Sequence, residues 1–383
     1  MTKSVQELLA QNEKLANDLL AMHADDVDRE RRFPRQNIQE LGRNGLVGLV
    51  VPAKYGGAGG SIPEMAQVLE RMAQACPSTA MVMLMHYCGT AVVAAKGNAT
   101  LKQSLLPSIA RGEHLTTLAF SEAGSGAHFY MPVSEVKRNG RGLRLTARKT
   151  FVTSAGEADS YVVSTRKAGA SGPTDLDMYL VAQGTKGFEV ERRFEGLGLA
   201  GNASAPMKLE DVELEEEKRL GGEGSGFQTM MEVVLPHFQV GVAAVSLGIA
   251  TAAFQAASAH VVARKYEHAG GAALAAIPRV QFLAAEMALE LRSARAYLAE
   301  TIRRIAASDP EAMLDVLGVK ARAAEAALAV SARAMTLGGG AAFGRRGGLE
   351  RMFRDAQAAS VMAPTTDVLK EFLGKACLGV PLF

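Results

Sequence analysis

The chain has 383 residues, 48% of them hydrophobic and 21% charged, enough for two or three domains with a large buried core and nothing of the composition of a disordered segment. Its 42 basic and 40 acidic side chains leave a formal net charge of +2, so no global field argues for nucleic acid or an anionic membrane as a partner. Cys76, Cys88 and Cys377 are scattered, with no C-x-x-C spacing, which argues against a disulfide framework or a zinc site and fits a reducing cytoplasm. The N-terminal stretch is rich in charge (Glu13, Lys14, Asp18, Asp25, Asp26) and lacks the apolar core of a signal peptide. The longest apolar run, Val240 to Phe254, is shorter than the ~20 residues of a membrane span and reads as a buried core helix.

In chain order, Leu8, Leu9, Leu15, Leu19 and Leu20 recur at near-helical spacing, predicting a helix from Val5 to about Ala24. A second helical stretch, Gln36 to Leu41, leads into Gly45–Pro52, and glycines then mark a loop over Tyr55–Gly60. Helical patterning resumes over Pro63 to Ala75, Thr79 to Ala95 and Lys102 to Arg111. After Thr116 the texture changes to short alternating or β-branched runs at 143–146, 161–165, 178–181, 188–190 and 207–209. Between them lie Asn139-Gly140, Ser171-Gly172-Pro173 and Lys186-Gly187, the turn chemistry expected between antiparallel strands. From Gly226 onward alanine with Leu, Met, Glu and Arg at 3.6-residue periodicity predicts long bundled helices, broken near Gly270-Gly271, Asp309-Pro310 and Gly338-Gly339-Gly340. The expected organisation is therefore α+β: an N-terminal all-α domain (1–114), a middle antiparallel β-barrel or sandwich domain (115–222) and a C-terminal helical bundle (223–383).

Two stretches carry the functional signal: Leu118-Ala119-Phe120-Ser121-Glu122-Ala123-Gly124-Ser125-Gly126 and Arg148-Lys149-Thr150-Phe151-Val152-Thr153-Ser154-Ala155-Gly156-Glu157-Ala158-Asp159. They resemble the L-T-E-P-x-x-G-S-D and K-x-(W/F)-I-T-N-(G/A)-x-x-A-D segments of the acyl-CoA dehydrogenase superfamily. More motifs align in the same order. Leu46–Pro52 with Tyr55-Gly56-Gly57, Leu106-Pro107 with Gly112-Glu113, Leu220–Phe227, Leu337–Gly340 and Glu350–Ala356 each resemble a family segment. Each is weak alone, and their ordered set is specific.

The resemblance implies FAD. A buried isoalloxazine needs hydrogen-bond partners at its polar edge and an apolar or aromatic cover on its faces. By resemblance Ser121 replaces a threonine at the pyrimidine edge, Thr153 lies on the N5 side beside Ser154, and Phe151 replaces a tryptophan packed on the flavin. The competing reading makes Ser121 and Thr153 ordinary turn or strand hydroxyls and Phe151 a core residue. Gly126 closes the first motif. Gly339 and Gly340, with Thr336 upstream, suit close backbone approach to a pyrophosphate gripped from a neighbouring subunit. Arg264 matches an arginine that precedes an F-G segment absent here, and it stands equally as a surface arginine. Thr365 and Asp367 fall where relatives touch flavin, or else cap a helix after Pro364.

Relatives carry a glutamate that removes the substrate α-proton, at one of two positions. In the first, I-Y-E-G-T, Ala363 stands in its place. In the second, L-D-x-E-R, matched to Leu235-Pro236-His237-Phe238, His237 stands for the glutamate and Phe238 for the arginine. His237 is then either a base, since an imidazole titrates near ~6.5, or a pocket-lining histidine. Glu232 lies five residues back, about 140° around the helix, and is an unsuited substitute. His128 replaces the aspartate of G-S-D, and His86 sits on a helix expected to border the cavity.

The resemblance thus implies α,β-desaturation of an acyl thioester on CoA or a carrier protein, with hydride transfer to flavin N5 and an electron-acceptor flavoprotein as partner. It also implies a homo-oligomer, a dimer or tetramer. A monooxygenase of the same fold is the alternative suggested by His86, His128 and His237, and a non-redox elimination enzyme or binding protein is the third reading. A cytoplasmic setting, no membrane span, no nucleic acid and no metal are expected.

Overall fold

A computed structural model describes residues 3–140 and 142–382 of the protein. The chain opens with helices α1 (Val5–Leu15), α2 (Ala21–Arg29), α3 (Arg35–Arg43), α4 (Ile62–Ala75), α5 (Pro77–Lys96) and α6 (Ala99–Ala110). Local chemistry sets where they begin. Ser4 with Glu7 and Ser61 with Glu64 form capping boxes ahead of α1 and α4. Asn98 accepts from the Leu101 amide ahead of α6, and Pro77 opens α5 where its missing N–H would have had no partner anyway. A π-turn at Ala16–Leu20 joins α1 to α2, so the helix expected to stop near Ala24 runs on to Arg29. Helix α5 is buried around most of its circumference, as befits a helix inside the core.

Seven strands follow: β1 (Thr116–Ala119), β2 (Val136–Asn139), β3 (Gly142–Val152), β4 (Ser160–Arg166), β5 (Leu176–Ala182), β6 (Phe188–Val190) and β7 (Ala205–Leu214). They form two sheets, ordered β1-β4-β5 and β2-β3-β7-β6. The turn signals predicted antiparallel pairing throughout, but β1 and β4 are parallel, with Thr116 opposite Ser160. The chain between them builds β2 and β3 in the other sheet, and that long crossover is what a parallel pair requires. Strands β4 and β5 are buried on both faces. Tyr161, Val163, Tyr179 and Val181 join Leu145, Met207 and Leu209 between the sheets, while Val162, Met178 and Leu180 belong to the core shared with the helices. The period-two alternation of the strand thereby couples two cores.

The C-terminal region holds α7 (Gly226–Thr229), a π-turn (Met230–Val234), α8 (Leu235–Ala263), a short hairpin of β8 (Lys265–Tyr266) and β9 (Ala272–Ala273), then α9 (Pro278–Ala306), α10 (Ala312–Phe343), α11 (Leu349–Ala356), α12 (Ala358–Val361) and α13 (Thr366–Leu378). Helix α8 packs against α4 and α5 as well as α9, α10 and α11. By length and composition 77–96, 226–263 and 312–343 are each long and apolar enough to cross a membrane, which corrects the short span read from Val240 to Phe254 alone; the apolar windows of the first two are 83% and 78% buried inside the protein.

The motif Glu350–Ala356 forms α11 and fastens all three regions together. Arg354 reaches Asp28 on α2 through both terminal nitrogens (2.9 and 2.6 Å), Glu350 (2.7 Å) and the Leu197 carbonyl (3.2 Å). The Asp355 carboxylate accepts the Leu199 amide at 2.6 Å, and a Cβ on Gly198 would lie 2.4 Å from the Arg354 carbonyl, so a side chain there would break the contact. Arg354→Ala leaves Asp28 and Glu350 without their cation, and we expect a loss of about 2–4 kcal/mol in denaturant unfolding. Arg354→Lys should recover only part, because an ammonium cannot make the two-pronged contact; a midpoint unmoved by Arg354→Ala would show that α11 does not tie the domains.

Candidate functional site

The two motif stretches lie side by side, joined by a bridge between Glu122 and Lys149 and by a 2.8 Å hydrogen bond from the Thr150 amide to the Ser121 carbonyl. Lys149 and Glu122 form an ion pair of 2.7 Å with side chains 0% and 3% exposed. The ammonium also donates to the Phe120 carbonyl (3.1 Å) and the Ser164 carbonyl (2.5 Å). The carboxylate accepts from the Val133 amide (2.8 Å), the Ser134 amide (2.9 Å) and the Ser134 hydroxyl (2.5 Å). Burial pushes the Glu122 carboxyl up, but Lys149 and Ser134 together hold it below its ordinary value. Each of the three ammonium protons has an acceptor, which is the condition for a buried pair to be tolerated.

Ser121 sits between two residues that Lys149 grips, and its hydroxyl has no partner among the described residues. Gly126 ends the motif at φ 53°, ψ −129° and is exposed, a conformation open to glycine alone. Phe151 and Ser154 both take left-handed φ, 52° and 61°. Phe151 is 62% exposed and meets Phe194, 54% exposed, edge-on with centroids 5.3 Å apart. A bulky aromatic held at positive φ and left in solvent carries two penalties, and a ring laid against it would offset the second by covering its exposed face. Phe151 is therefore no core residue. Thr153 is buried, with its carbonyl accepting from Thr117 at 3.0 Å. The Ser154 hydroxyl is enclosed and unpaired.

On the other side of the site, Pro236 lacks an N–H and its ring crowds the preceding turn, which widens into the π-turn Met230–Val234. His237 follows directly. Its Nδ1 lies 2.7 Å from the Val233 carbonyl; a carbonyl can only accept, so Nδ1 carries the proton and Nε2 presents a bare lone pair. Burial lowers the imidazole pKa below 6.5, against the opposing effect of the Val233 bond, so the ring is neutral at pH 7. Glu232 is exposed and engaged with Gln228 (2.6 Å) and Lys96 (3.4 Å) on the surface.

One register needs correction. Laid residue by residue from Leu235, the five positions of L-D-x-E-R end at Gln239, placing Phe238 at the glutamate and Gln239 at the arginine. Phe238 is half-buried and cannot accept a proton. Gln239 is fully buried. Ala363, at the other glutamate position, lies between two carbonyls, Met362 and Pro364, that both accept from Lys320 Nζ (2.6 and 2.5 Å). Burial pushes the Lys320 pKa down to about 7. Sequence reasoning passed over this residue; the available signal was one lysine inside the apolar run Leu317–Ala321 of an alanine-rich helix.

The remaining candidates divide. His86 does not line a cavity: it is 0% exposed, its Nε2 faces the Val47 carbonyl (3.1 Å) and its Nδ1 accepts the Thr116 amide (3.1 Å). Burial lowers its pKa to about 4, so it is a neutral pin between the first helical domain and β1. His128 is exposed and lines a cleft of about 650 Å³ with Gly124, Ser125, Arg166, Glu371 and Lys375, between the first motif and α13. Thr365 caps α13 by accepting the Val368 amide (3.4 Å), with Asp367 exposed in its first turn, so both already serve the helix. Arg264 is exposed at the end of α8. Thr336 is exposed and bonds the Ala332 carbonyl one turn back. Gly339 breaks the helical dihedrals of α10 at φ 52°, ψ −140°, and neither it nor Gly340 has an atom within 4 Å of where a Cβ would stand. That open backbone suits a phosphate. Among the described residues no group of three or more His, Cys, Asp or Glu could hold a metal.

A half-covered aromatic pair, free hydroxyls on Ser121 and Thr153, the unpaired Ser154 hydroxyl and an open glycine break are compatible with a flavin dinucleotide, carried on a helical, a β and a second helical region in chain order. The chain belongs to the acyl-CoA dehydrogenase family: residues 2–113 match its N-terminal domain, 117–212 its middle domain and 224–378 its C-terminal domain. It is 27% identical over 349 residues to the short-chain-specific acyl-CoA dehydrogenase of Clostridium acetobutylicum, covering 91% of this chain and 90% of that one. It superposes on butyryl-CoA dehydrogenase from Megasphaera elsdenii with a TM-score of 0.92 at 24% identity, covering 99% of each chain. On the prolyl acyl carrier protein oxidase AnaB the score is 0.88 at 21% identity, covering 97% and 98%. Its cofactor is FAD.

The Lys149–Glu122 pair is a direct handle on this site. Lys149→Met leaves a buried carboxylate without its cation, and we expect a loss of about 3–5 kcal/mol together with weaker FAD retention on gel filtration. The double variant Lys149→Met/Glu122→Leu should regain stability relative to the single one. If the single variant binds FAD as tightly as the parent protein, the pair does not shape the flavin site.

Proposed function

We propose that the protein desaturates an acyl thioester, carried by CoA or by a carrier protein, at its α and β carbons, with His237 as the proton acceptor. The observation that supports this reading is the His237 tautomer: Nδ1–H is committed to the Val233 carbonyl, and Nε2 is left with a free lone pair on a neutral, largely enclosed ring. The α C–H bond breaks and its proton moves to Nε2, which makes an imidazolium whose remaining N–H still donates to Val233. The electrons of that bond form the new double bond as the β C–H bond breaks. The chemistry FAD supplies when bound is acceptance of the departing hydride at N5.

Ser121, Thr153 and Ser154 would hold the ring edge, and Phe151 with Phe194 would cover a face. Gly339 and Gly340, presented to a second copy of the chain, would supply the open backbone for the pyrophosphate, so a homo-oligomer, a dimer or tetramer, belongs to this proposal. A partner flavoprotein in the cytoplasm would then take up the reducing equivalents. The monooxygenase alternative drew on His86, His128 and His237 facing one cavity, and with His86 locked to the backbone it loses part of that support.

Anaerobic mixing with saturated acyl thioesters should bleach the visible flavin band, and His237→Ala should slow bleaching by on the order of 10²–10⁴. Because burial lowers the imidazole pKa below 6.5, the base is already deprotonated at neutral pH. The bleaching rate should therefore rise with pH through a midpoint below 6.5 and be level from pH 7 upward, and His237→Ala should remove that limb. A limb that persists in the variant assigns the base elsewhere.

A further inference from the structure

Lys320 lies fully buried in α10, with its amine turned onto backbone 42 and 44 residues further along the chain, the Met362 carbonyl at 2.6 Å and the Pro364 carbonyl at 2.5 Å. Met362 ends α12, and Pro364 immediately precedes Thr365, the N-cap of α13. These carbonyls therefore belong to the turn between two helices, where no helical amide meets them. A lysine amine carries at least two protons whether charged or neutral, so both bonds stand in either state. A polar head in the core costs stability unless it is bonded, and a methionine would fill the same length without one. What the head adds is the position of the turn.

The turn governs α13, because α13 starts at its end. Helix α10 holds α13 at a second point through the ion pair of Glu325 with Lys370, but those side chains are 39% and 54% exposed, and surface pairs of this kind contribute little. The buried amine is the stronger of the two ties. Helix α13 presents Glu371, Phe372 and Lys375 to the cleft of about 650 Å³ whose other wall includes Gly124, Ser125 and His128. Ligand pockets usually measure roughly 300–1,000 Å³, and this one borders the first motif. Phe372 also meets the Tyr130 ring with centroids 5.8 Å apart, Tyr130 meets Phe129 at 5.7 Å, and Phe129 stacks on Phe120 at 6.3 Å. That run of rings ends at the residue before Ser121, so the wall that Lys320 places is in contact with the motif itself.

We propose that Lys320 is a positioning residue for ligand entry at this cleft: by holding the Met362 and Pro364 carbonyls it fixes the start of α13, and the placement of α13 sets the width of the cleft, which takes the arm of the acyl thioester. The ligand rests on the acyl-thioester reading above; the hold on α13 does not. The residue between the two carbonyls, Ala363, has no polar group of its own, so Lys320 acts on the path of the backbone and through it on α13.

The test compares the FAD-loaded protein with Lys320→Met, which keeps the stem and removes the donors, and with Lys320→Arg, which restores them. Amide hydrogen exchange over 365–375 should be faster by about tenfold or more in Lys320→Met, with 124–131 loosened alongside and β3 and β7 unchanged. In anaerobic mixing with butyryl-, octanoyl- and palmitoyl-CoA, the concentration giving half the maximal bleaching rate should rise about fivefold or more, while the maximal rate stays within about threefold. Lys320→Arg should recover part of both changes, and Lys370→Met, which cuts only the surface tie, should move neither by more than about twofold. Exchange over 365–375 that matches the parent overturns the assignment. So does loosening spread evenly over the whole chain, or a half-maximal concentration that stays put while α13 loosens. If Lys320→Met does not retain FAD, Lys320→Gln, one bond shorter with a donor group kept, carries the same comparison. If no thioester bleaches the parent flavin, the desaturation reading falls; the slowing of exchange over 365–375 by added free CoA in parent and variant then decides Lys320, and equal slowing overturns it.

Discussion

The ion pair between Glu122 and Lys149 is the constraint on which the site depends. Neither side chain is accessible to water, so the pair persists only because every ammonium proton has an acceptor and the carboxylate collects three further donors. Buried pairs seldom add net stability over apolar side chains of the same volume. What this one supplies is position. It ties the turn after β1 to the middle of β3, to β4 through the Ser164 carbonyl and to 133–134 ahead of β2, so Ser121 cannot shift without Lys149 losing a bond. A flavin edge held by the Ser121 hydroxyl, as proposed, would need that rigidity, because a hydrogen bond misplaced by a few tenths of an ångström discriminates poorly.

A second requirement is that three separately folded layers meet at one place. Helix α11 supplies the joint. Its two arginines and one aspartate reach α2, the end of α4 and the 197–199 segment, so a single helix of eight residues carries contacts to both other regions. Burial raises the Asp355 pKa to about 6. A carboxyl raised above its unfolded value binds its proton more tightly in the folded state, so its contribution is fully present below about pH 4 and declines as pH rises through 6. The joint is thus held by the geometry of the Leu199 amide and the Arg354 fork more than by the charge of Asp355.

How much of this was legible in the sequence follows from which signals are local. The glycine loop before α4 and the switch from period 3.6 to period 2 after Thr116 are written within a few residues, and they mark their elements closely. The parallel pairing of β1 and β4 was not legible, because it depends on a crossover through the other sheet. The π-turn before His237 follows from one proline, yet periodicity alone does not separate a widened turn from a regular one. The hydroxyl positions 121, 153 and 154 could be singled out from motif context, whereas the enclosure of Ser154 and the exposure of Phe151 could not. His86 illustrates the limit best: a lone histidine on an apolar helix has the same sequence appearance whether it borders a cavity or, as here, bridges two backbones. Lys320 shows the reverse case, a residue with no motif around it whose role comes wholly from two carbonyls more than forty positions away in the chain.

The chemistry available to the site follows from a shared substitution of charge by neutrality. At both positions where relatives place a glutamate this chain has side chains that cannot ionise, Phe238 and Ala363, and beside the first stands Gln239 in place of an arginine. Losing the acid and the base of such a pair together is electrostatically consistent, since a buried arginine without its carboxylate would be an uncompensated charge. Proton transfer then needs a group whose neutral form is the resting one. His237 meets that condition because burial favours the uncharged ring and the Val233 carbonyl fixes which nitrogen is free. An imidazolium formed in the proposed proton transfer would keep its Nδ1–H on the same carbonyl, so the residue would suit taking up a proton transiently and returning it, where a glutamate would keep a standing negative charge.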